Sequence, residues 1–556
     1  MVRATFSGFN TALSALQANQ KRLDITGQNL SNMNTAGYTR QQLEASSLNY
    51  TNPVSHYSNG NETAVGFGVS MDRVSQIRDP YLDIQYRSQS ADCSYTNRLQ
   101  TALNSLSKVL DETTISGIRQ AFDDVQSTLT SMQDPAKVSD PIYESELRTK
   151  MQSVCNLFNQ ASRQITQAEQ NEFQRLTGEG SSEQGDVQKI NDILRQIGDL
   201  NVQIKRNQVA GHPSLELQDE RNLLLDELSG YIPVETRYYK DDAHSGNNAY
   251  DYDANGAVIG KKDWPDDLEV SMNYIDAQGK SQKLILVNGS DLGADGLTKN
   301  YGQLSMLKGD HQTAASVSDP ANISIKFEKA PSYQGNGQAA ADVYAELKGI
   351  HFEGGSLQAS LDMLQKTGTG TVINGSTAVD DVRGYQYYSG KLDQLASTFA
   401  KSMNAINNGK KQDQNLLSNS TDDSTTGITA GNIGISKGWT SGTIHISTDG
   451  TNRTDTILDM IAAMKDTKKL NGKTFADYMN NLSTQLASDS SSNQTALKTG
   501  TTVLNSIQDS RDSLSGVSLD EEATNMMTYV SAYNAASRLM TALDEVLNTL
   551  ISNTGA

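Results

Sequence analysis

The run Asp251-Tyr252-Asp253-Ala254-Asn255-Gly256 sets Asp251, Asp253 and Asn255 at alternate positions before a glycine, as in the first half of a calcium-binding loop. Such a loop needs a bidentate glutamate at its twelfth position, where this chain has Lys262, and no helical pattern flanks the run. It reads as an Asp/Asn-Gly turn, so no metal site is assigned; Asp251, Asp253 and Asn255 are the residues such a site would use. Gly335-Asn336-Gly337-Gln338-Ala339-Ala340 has the outline of a dinucleotide fingerprint. It lies in a proline–glycine loop without the strand–turn–helix unit that would place a pyrophosphate. His56, His212, His244, His311, His351 and His445 are scattered without metal-ligand spacing, and no His-Glu-x-x-His, Cys-x-x-Cys or Walker A run occurs. No carboxylate pair stands out for acid–base work. The sequence offers no catalytic residue and no cofactor, and the expectation is a protein that is not an enzyme.

Bulk composition narrows the class. A chain of 556 residues divides into about three or four domains. Its net charge of −19 and pI near 4.8 argue against nucleic acid or an anionic membrane surface as partner. No apolar run approaches the ~20 residues of a membrane span, and the start lacks the basic–apolar–small pattern of a cleaved secretory signal. Cys93 and Cys155 sit in helical text and read as reduced core thiols.

The most regular spacing is a pair of apolar seams. Phe9, Leu13, Leu16, Gln20, Leu23, Gly27, Leu30 and Asn34 fall at alternating steps of four and three, which predicts a long amphipathic helix. Leu519, Ala523, Met526, Val530, Tyr533, Ala536, Met540, Leu543, Leu547 and Leu550 repeat the rhythm at the other end, with a stammer at Ala536. Ser518 and Glu521 make a capping box, and Asp520, Glu521 and Glu522 suit the positive end of that helix. Arg3, Lys21, Arg22 and Arg40 outweigh Asp24 at the first end; Asp520, Glu521, Glu522, Asp544 and Glu545 outweigh Arg538 at the last. Matching seams of opposite charge predict that the ends pair as a coiled coil. Phe9, Leu13, Leu16, Leu23, Leu30, Leu519, Met526, Val530, Tyr533, Met540, Leu543, Leu547 and Leu550 are the expected assembly interface.

Between the ends, residues 41–80 read as loops with a strand or two. Helical periods follow to about residue 229, broken at Asp134-Pro135, Asp140-Pro141, 178–185 and 211–213. After Pro233 the period becomes two, with Leu268, Val270, Met272 and Tyr274 and later Ile323, Ile325 and Phe327 alternating. Helical spacing returns at Leu392. A polar loop at 412–431 and possible strands over 433–446 precede helices at 457–464, 474–486 and 497–514. The expected fold is mainly α with an inserted β-rich domain and a nested order. Residues 1–50 pair with 515–556, 51–231 pack with 385–514 as a helical domain, and 232–384 form the outer β-rich domain.

The wording of the two ends adds a resemblance. Ser7-Gly8-Phe9-Asn10-Thr11-Ala12-Leu13-Ser14-Ala15-Leu16, with Gln28-Asn29-Leu30-Ser31-Asn32-Met33-Asn34-Thr35-Ala36-Gly37-Tyr38-Thr39-Arg40, resembles the N-terminal signature of bacterial flagellar axial proteins. Gly516-Val517-Ser518-Leu519-Asp520-Glu521-Glu522-Ala523-Thr524-Asn525-Met526-Met527 is similar to the matching C-terminal signature. The runs over 217–229, 474–479 and 508–517 resemble the hook-associated branch. The resemblance implies a structural protein outside the cell that joins hook to filament, exported through the flagellum's own type III channel without a cleaved signal. It implies a ring of identical subunits, hook protein and a second hook-associated junction protein as neighbours, and an export chaperone over about Leu519–Leu550. Another axial protein, hook or distal rod, is the alternative within this class. A surface adhesin or enzyme with axial-protein ends is the alternative outside it, with its activity in the β-rich insert. Seams with one uncovered side predict mobile ends in the lone subunit.

Overall fold

Helix starts follow Asp-Pro pairs, in which a carboxylate caps the first free N–H groups and the proline sits where no N–H is needed. The computed structural model describes residues 2–48, 68–110, 112–138, 140–210, 212–240, 250–252, 258–261, 266–275, 280–290, 299–310, 312–328, 330, 343–346, 352–368, 372–373, 376–377, 382–409, 412–447 and 454–554. The chain opens with α1 (Val2–Asn32). A hairpin follows, β1 (Gln41–Ser47) antiparallel to β2 (Val69–Gln76), with Gln41 opposite Gln76. Asp79 caps α2 (Pro80–Val109) by accepting the Tyr81 N–H. After α3 (Glu112–Ser131), Asp134 and Asp140 begin α4 (Pro135–Val138) and α5 (Pro141–Thr177) in the same way. Gly178, at φ 76°, ends α5, and α6 (Asp186–Val209) and α7 (Leu215–Tyr231) complete this part.

The period-two text becomes β3 (Glu235–Lys240), β4 (Tyr250–Tyr252), β5 (Val258–Lys261), β6 (Asp266–Ile275), β7 (Ser281–Asn288), β8 (Gln303–Lys308), β9 (Ile323–Glu328) and β10 (Val343–Glu346). They form antiparallel sheets ordered β3-β6-β7 and β10-β9-β8, with β4-β5 as a separate ribbon. A bridge between Val287 and Tyr301 joins the first sheet to the approach of β8. Leu268, Val270 and Met272 point into the core with Leu284, Leu286, Ile323, Ile325 and Phe327. The sheets are fixed to α6 by side-chain amides, buried Asn201 and half-buried Asn191. Asn201 donates to the Leu268 and Gly289 carbonyls, and Asn191 exchanges hydrogen bonds with the Leu304 backbone.

The later chain comprises α8 (Ser356–Gln365), β11 (Val372–Ile373) with β12 (Ser376–Thr377), α9 (Tyr385–Asn408), β13 (Leu417–Asn419) with β14 (Ile433–Ile435), α10 (Lys437–Thr440), α11 (Asp455–Met464), α12 (Phe475–Ser515) and α13 (Leu519–Thr554). Helices from both halves of the chain meet in one aromatic cluster. Phe122 on α3 packs its ring 5.9 Å from Phe158 on α5, 5.2 Å from Phe399 on α9 and 5.6 Å from Phe475 on α12.

Three features differ from the sequence expectation. Residues 356–365, inside the span expected to be β-rich, form a helix buried on every side from Leu357 to Leu364 and packed on α2 and α5. A helix covered all round has no polar face and so no 3.6-residue signature. Phe475–Ser515 form one helix of 41 residues where two were expected. Its serine-rich middle stays helical because α2 uses it: Gln100 donates to the Ser490 hydroxyl and Asn493 donates to the Thr96 carbonyl. The strand expected through Ile446 stops at Ile435, because Ser436 accepts the Trp439 N–H and starts α10.

Candidate assembly interface and its anchorage

The terminal helices α1 and α13 lie against each other, and the contacts fix their direction. Beginning at Gly8, a Cβ would meet the Leu543 side chain at 3.4 Å. Further along, the Arg22 guanidinium lies 5.6 Å from the Tyr529 ring centroid, and Arg40 bonds to Glu521 and Glu522. Positions rise on one helix as they fall on the other, so the pair is antiparallel.

The residues that go under on α1 are small or polar except for Ile25: Ala12, Ala18, Asn19, Thr26 and Asn29. They face the β1–β2 hairpin as well as α13. Asn29 donates to the Gln41 carbonyl and accepts the Gln41 N–H, and the Ser14 hydroxyl accepts the Val69 N–H. The larger seam residues Phe9, Leu16, Leu23 and Leu30 are half-buried, and Leu13 is 46% exposed. On α13, Ala536 and Glu522 are buried, while Met526, Met540, Leu543 and Leu547 are half-buried. Leu519, Tyr533 and Leu550 are exposed with Val530, at 43%, and so are Met527, at 66%, Leu539, Val546 and Ile551, which the seam reading did not include. These large apolar side chains are exposed along α13.

At its base the pair is anchored by polar contacts. Arg40 donates its backbone N–H to the Ser515 carbonyl at 2.9 Å, while its side chain pairs with Glu521 at 2.6 Å and with buried Glu522 at 2.8 Å. Asp219 on α7, 6% exposed, accepts the Thr39 N–H at 3.1 Å and the Thr39 hydroxyl at 2.6 Å. Burial pushes its carboxyl up to about 6 against the opposing pull of those hydrogen bonds. Burial, with Glu216, Asp219 and Glu522 nearby, also pushes the Tyr38 phenol above its ordinary range. One turn beyond Asp219, Leu223 lies against Gly37, which sits at φ 75° and whose Cβ would be 2.4 Å from the Leu223 side chain. A chain of alternating charge runs behind. Arg78 pairs with Asp83 at 2.5 Å, Asp83 with Arg511 at 3.1 Å, Arg511 with Asp226 at 2.8 Å and Asp226 with Arg87 at 2.8 Å. Arg511 also stacks 4.3 Å over Tyr86. Arg78, Tyr86, Asp219, Asp226 and Arg511 border an open cleft of about 820 Å³ between the linkers, α7 and the end of α12.

The sequence missed Thr39, Arg78, Asp219 and Arg511. Asp219 had a signal, since it stands at core spacing between Leu215 and the buried Asn222 and Leu225, where a charged residue needs a reason. Asp251 lies on β4 opposite Gly260, while Asp253 and Asn255, with the Gly335–Ala340 run, lie outside the described residues. Both cysteines are buried free thiols, and burial pushes Cys155 up to about 12. Among the described residues no group of His, Cys, Asp and Glu side chains converges as a metal site would, and no helix is long and apolar enough to cross a membrane.

Residues 103–416, more than half of the chain, match the family described as flagellar hook-associated protein FlgK helical domain. The chain belongs to the flagellar hook-associated protein FlgK family. The FlgK match is flanked by two others. Residues 9–39 match the flagella basal body rod protein family, and residues 510–553 match the flagellar basal body rod FlgEFG protein C-terminal family. These are the paired terminal helices and their linkers. Flagellar hook-associated protein 1 of Bacillus subtilis is 28% identical over 99% of each chain, and that of Escherichia coli 23% identical over 98% of this chain and 99% of its own. The flagellar hook junction protein FlgK from Burkholderia pseudomallei shares 19% identity and a TM-score of 0.39, with 60% of this chain and 46% of that one covered. As a FlgK-family member the protein is a structural component of the bacterial flagellum.

Proposed function

We infer that the protein is the structural junction between flagellar hook and filament. The observation that carries this reading is the pairing of α1 with α13 into an antiparallel unit that still presents apolar flanks, including Leu13, Leu519, Val530, Tyr533 and Leu550, to solvent. One side of each terminal helix is covered within the subunit and another is left for neighbours. Burying such flanks stabilises an assembly by about 25 cal/mol per Å². Repeated around a ring, a contact between unlike faces continues a tubular lattice. The subunit is active as a spacer and clamp, with no chemistry on a substrate. Hook protein on one side and a second hook-associated protein on the other are the neighbours this reading requires. An export chaperone shields the α13 flanks before assembly, and export follows the flagellar channel.

Deletion of the gene with electron microscopy of the cells tests the reading. Hooks present without filaments, and flagellin monomer in the medium, are expected. Missing or shortened hooks would move the protein to the rod or the hook itself, and normal filaments would overturn the junction role.

A further inference from the structure

The hydrophobic core that unites the helical body with the β-sheets runs from Ala102 to Leu486 and, among the described residues, takes in none from α1 or α13. The terminal pair therefore does not share that core. Its direction relative to the body depends on the polar contacts at its base, because a contact without interdigitated side chains has no other means of fixing an angle. Of those contacts, the Arg40 side chain with Glu521 and Glu522 joins the terminal unit to its own linker and moves with the pair, while the Arg40 N–H reaches the carbonyl of Ser515, the last residue of α12. The side-chain contacts that cross from the linkers and hairpin to the body converge on α7. Gln76 donates to the Leu215 carbonyl, Gln41 to the Glu216 carboxylate, and Thr39 to Asp219 twice, while Gly37 rests on Leu223. The Asp219 contact is the buried one and uses both carboxylate oxygens, with Arg78 3.9 Å away as its counter-charge.

We propose that Asp219 is the positioning residue that sets the angle of the terminal helix pair on the helical body, by holding the Thr39 N–H and hydroxyl on α7. A short buried carboxylate accepting two hydrogen bonds from one residue fixes both the place and the rotation of that residue, and Thr39 lies in the linker that leads out of α1. The consequence for joining two tubes rests on the junction reading. The orientation itself is measured on the isolated subunit, so either idea can fail without the other.

The test places spin labels at Met527→Cys on α13 and Leu458→Cys on α11, both exposed, in the full chain with its buried cysteines left in place. Electron–electron distance measurements then compare the parent with Asp219→Ala, Asp219→Asn and Thr39→Val. A narrow distribution is expected for the parent, a distribution at least twice as wide for D219A, and one close to the parent for D219N, whose amide oxygen still accepts the Thr39 N–H. T39V removes one of the two donors at a buried linker residue while keeping its size, so it widens the distribution to an intermediate degree and serves if D219A does not fold. A D219A or T39V distribution as narrow as the parent overturns the proposal. Equal widening in D219A and D219N overturns it too, since it would assign the hold to the charge facing Arg78.

Discussion

Arg40 and Glu522 stand 482 positions apart in the chain and 2.8 Å apart in the folded protein. Their ion pair closes the loop made by everything between the two ends, and Glu522 is 2% exposed, so the carboxylate has little water to fall back on. Arg40→Ala leaves it buried without a counter-charge, at a cost of about 2–4 kcal/mol. Hydrogen exchange along the first turns of α13 should speed up accordingly. In a double-mutant cycle with Glu522→Gln, the coupling should be about 1–3 kcal/mol, and a coupling near zero would show that the pair is ornamental.

The outer flank of α13 makes the opposite prediction. Met527→Asp and Val530→Asp change exposed positions, so the subunit's unfolding free energy should stay within about 1 kcal/mol of the parent. Assembly should fail, because a carboxylate in a buried subunit contact is left unpaired. Thermal melts and filament counts by electron microscopy separate the two effects. Normal filaments with either variant would remove this flank from the assembly surface.

How much of this was legible in the sequence differs by element. The terminal helices were, because Leu16, Leu23 and Leu30 repeat at a heptad and Met526, Val530 and Tyr533 keep the same rhythm. So were the strands carrying Leu268, Val270 and Met272, whose alternation survives because one face packs on α6. Which side of α1 goes under was not legible. The apolar count favours Leu13 and Leu16, yet Ala12, Asn19 and Asn29 are the buried ones, since backbone groups of β1 need the amides and close helix contact needs small residues. The pairings of Asp219 and Arg511 were hidden for another reason. Thr39 lies 180 positions from Asp219, and Asp83, a near neighbour of Arg78, is on the far side of the chain from Arg511, so local spacing carries no trace of these contacts.

Asp219 also gives a pH dependence of definite sign. Its carboxyl has an ordinary value of 3.8 when exposed and about 6 in the native protein, so the folded state holds the proton more tightly. The stability this contributes is fully present below about pH 4 and lost as the pH rises through 6, a change of about 1–3 kcal/mol. Asp219→Asn removes that dependence. Urea unfolding of both proteins at about pH 4.5 and about pH 7 should show the parent losing stability relative to the variant as the pH rises. A constant difference between them would sink the assignment.

Gly37 separates strain from collision. Gly37→Ala puts a Cβ at φ 75° and within 2.4 Å of Leu223, at a cost of about 1–3 kcal/mol. Adding Leu223→Ala should recover the collision but leave the backbone part, about 1 kcal/mol. Calorimetric melts of the single and double variants test the split, and full recovery would mean that the backbone at residue 37 is unstrained.

The unbroken α12 has a mechanical consequence. At 41 residues it is about 60 Å long, with Phe475 seated among the core aromatics and Arg511 locked to Asp83 and Asp226 near the other end. A tilt of about 5° at the Arg511 end displaces the Phe475 end by about 5 Å. A small rotation where the terminal pair meets the body is thus carried along α12 as a larger sideways travel at its Phe475 end, and α12 is the lever arm between the two.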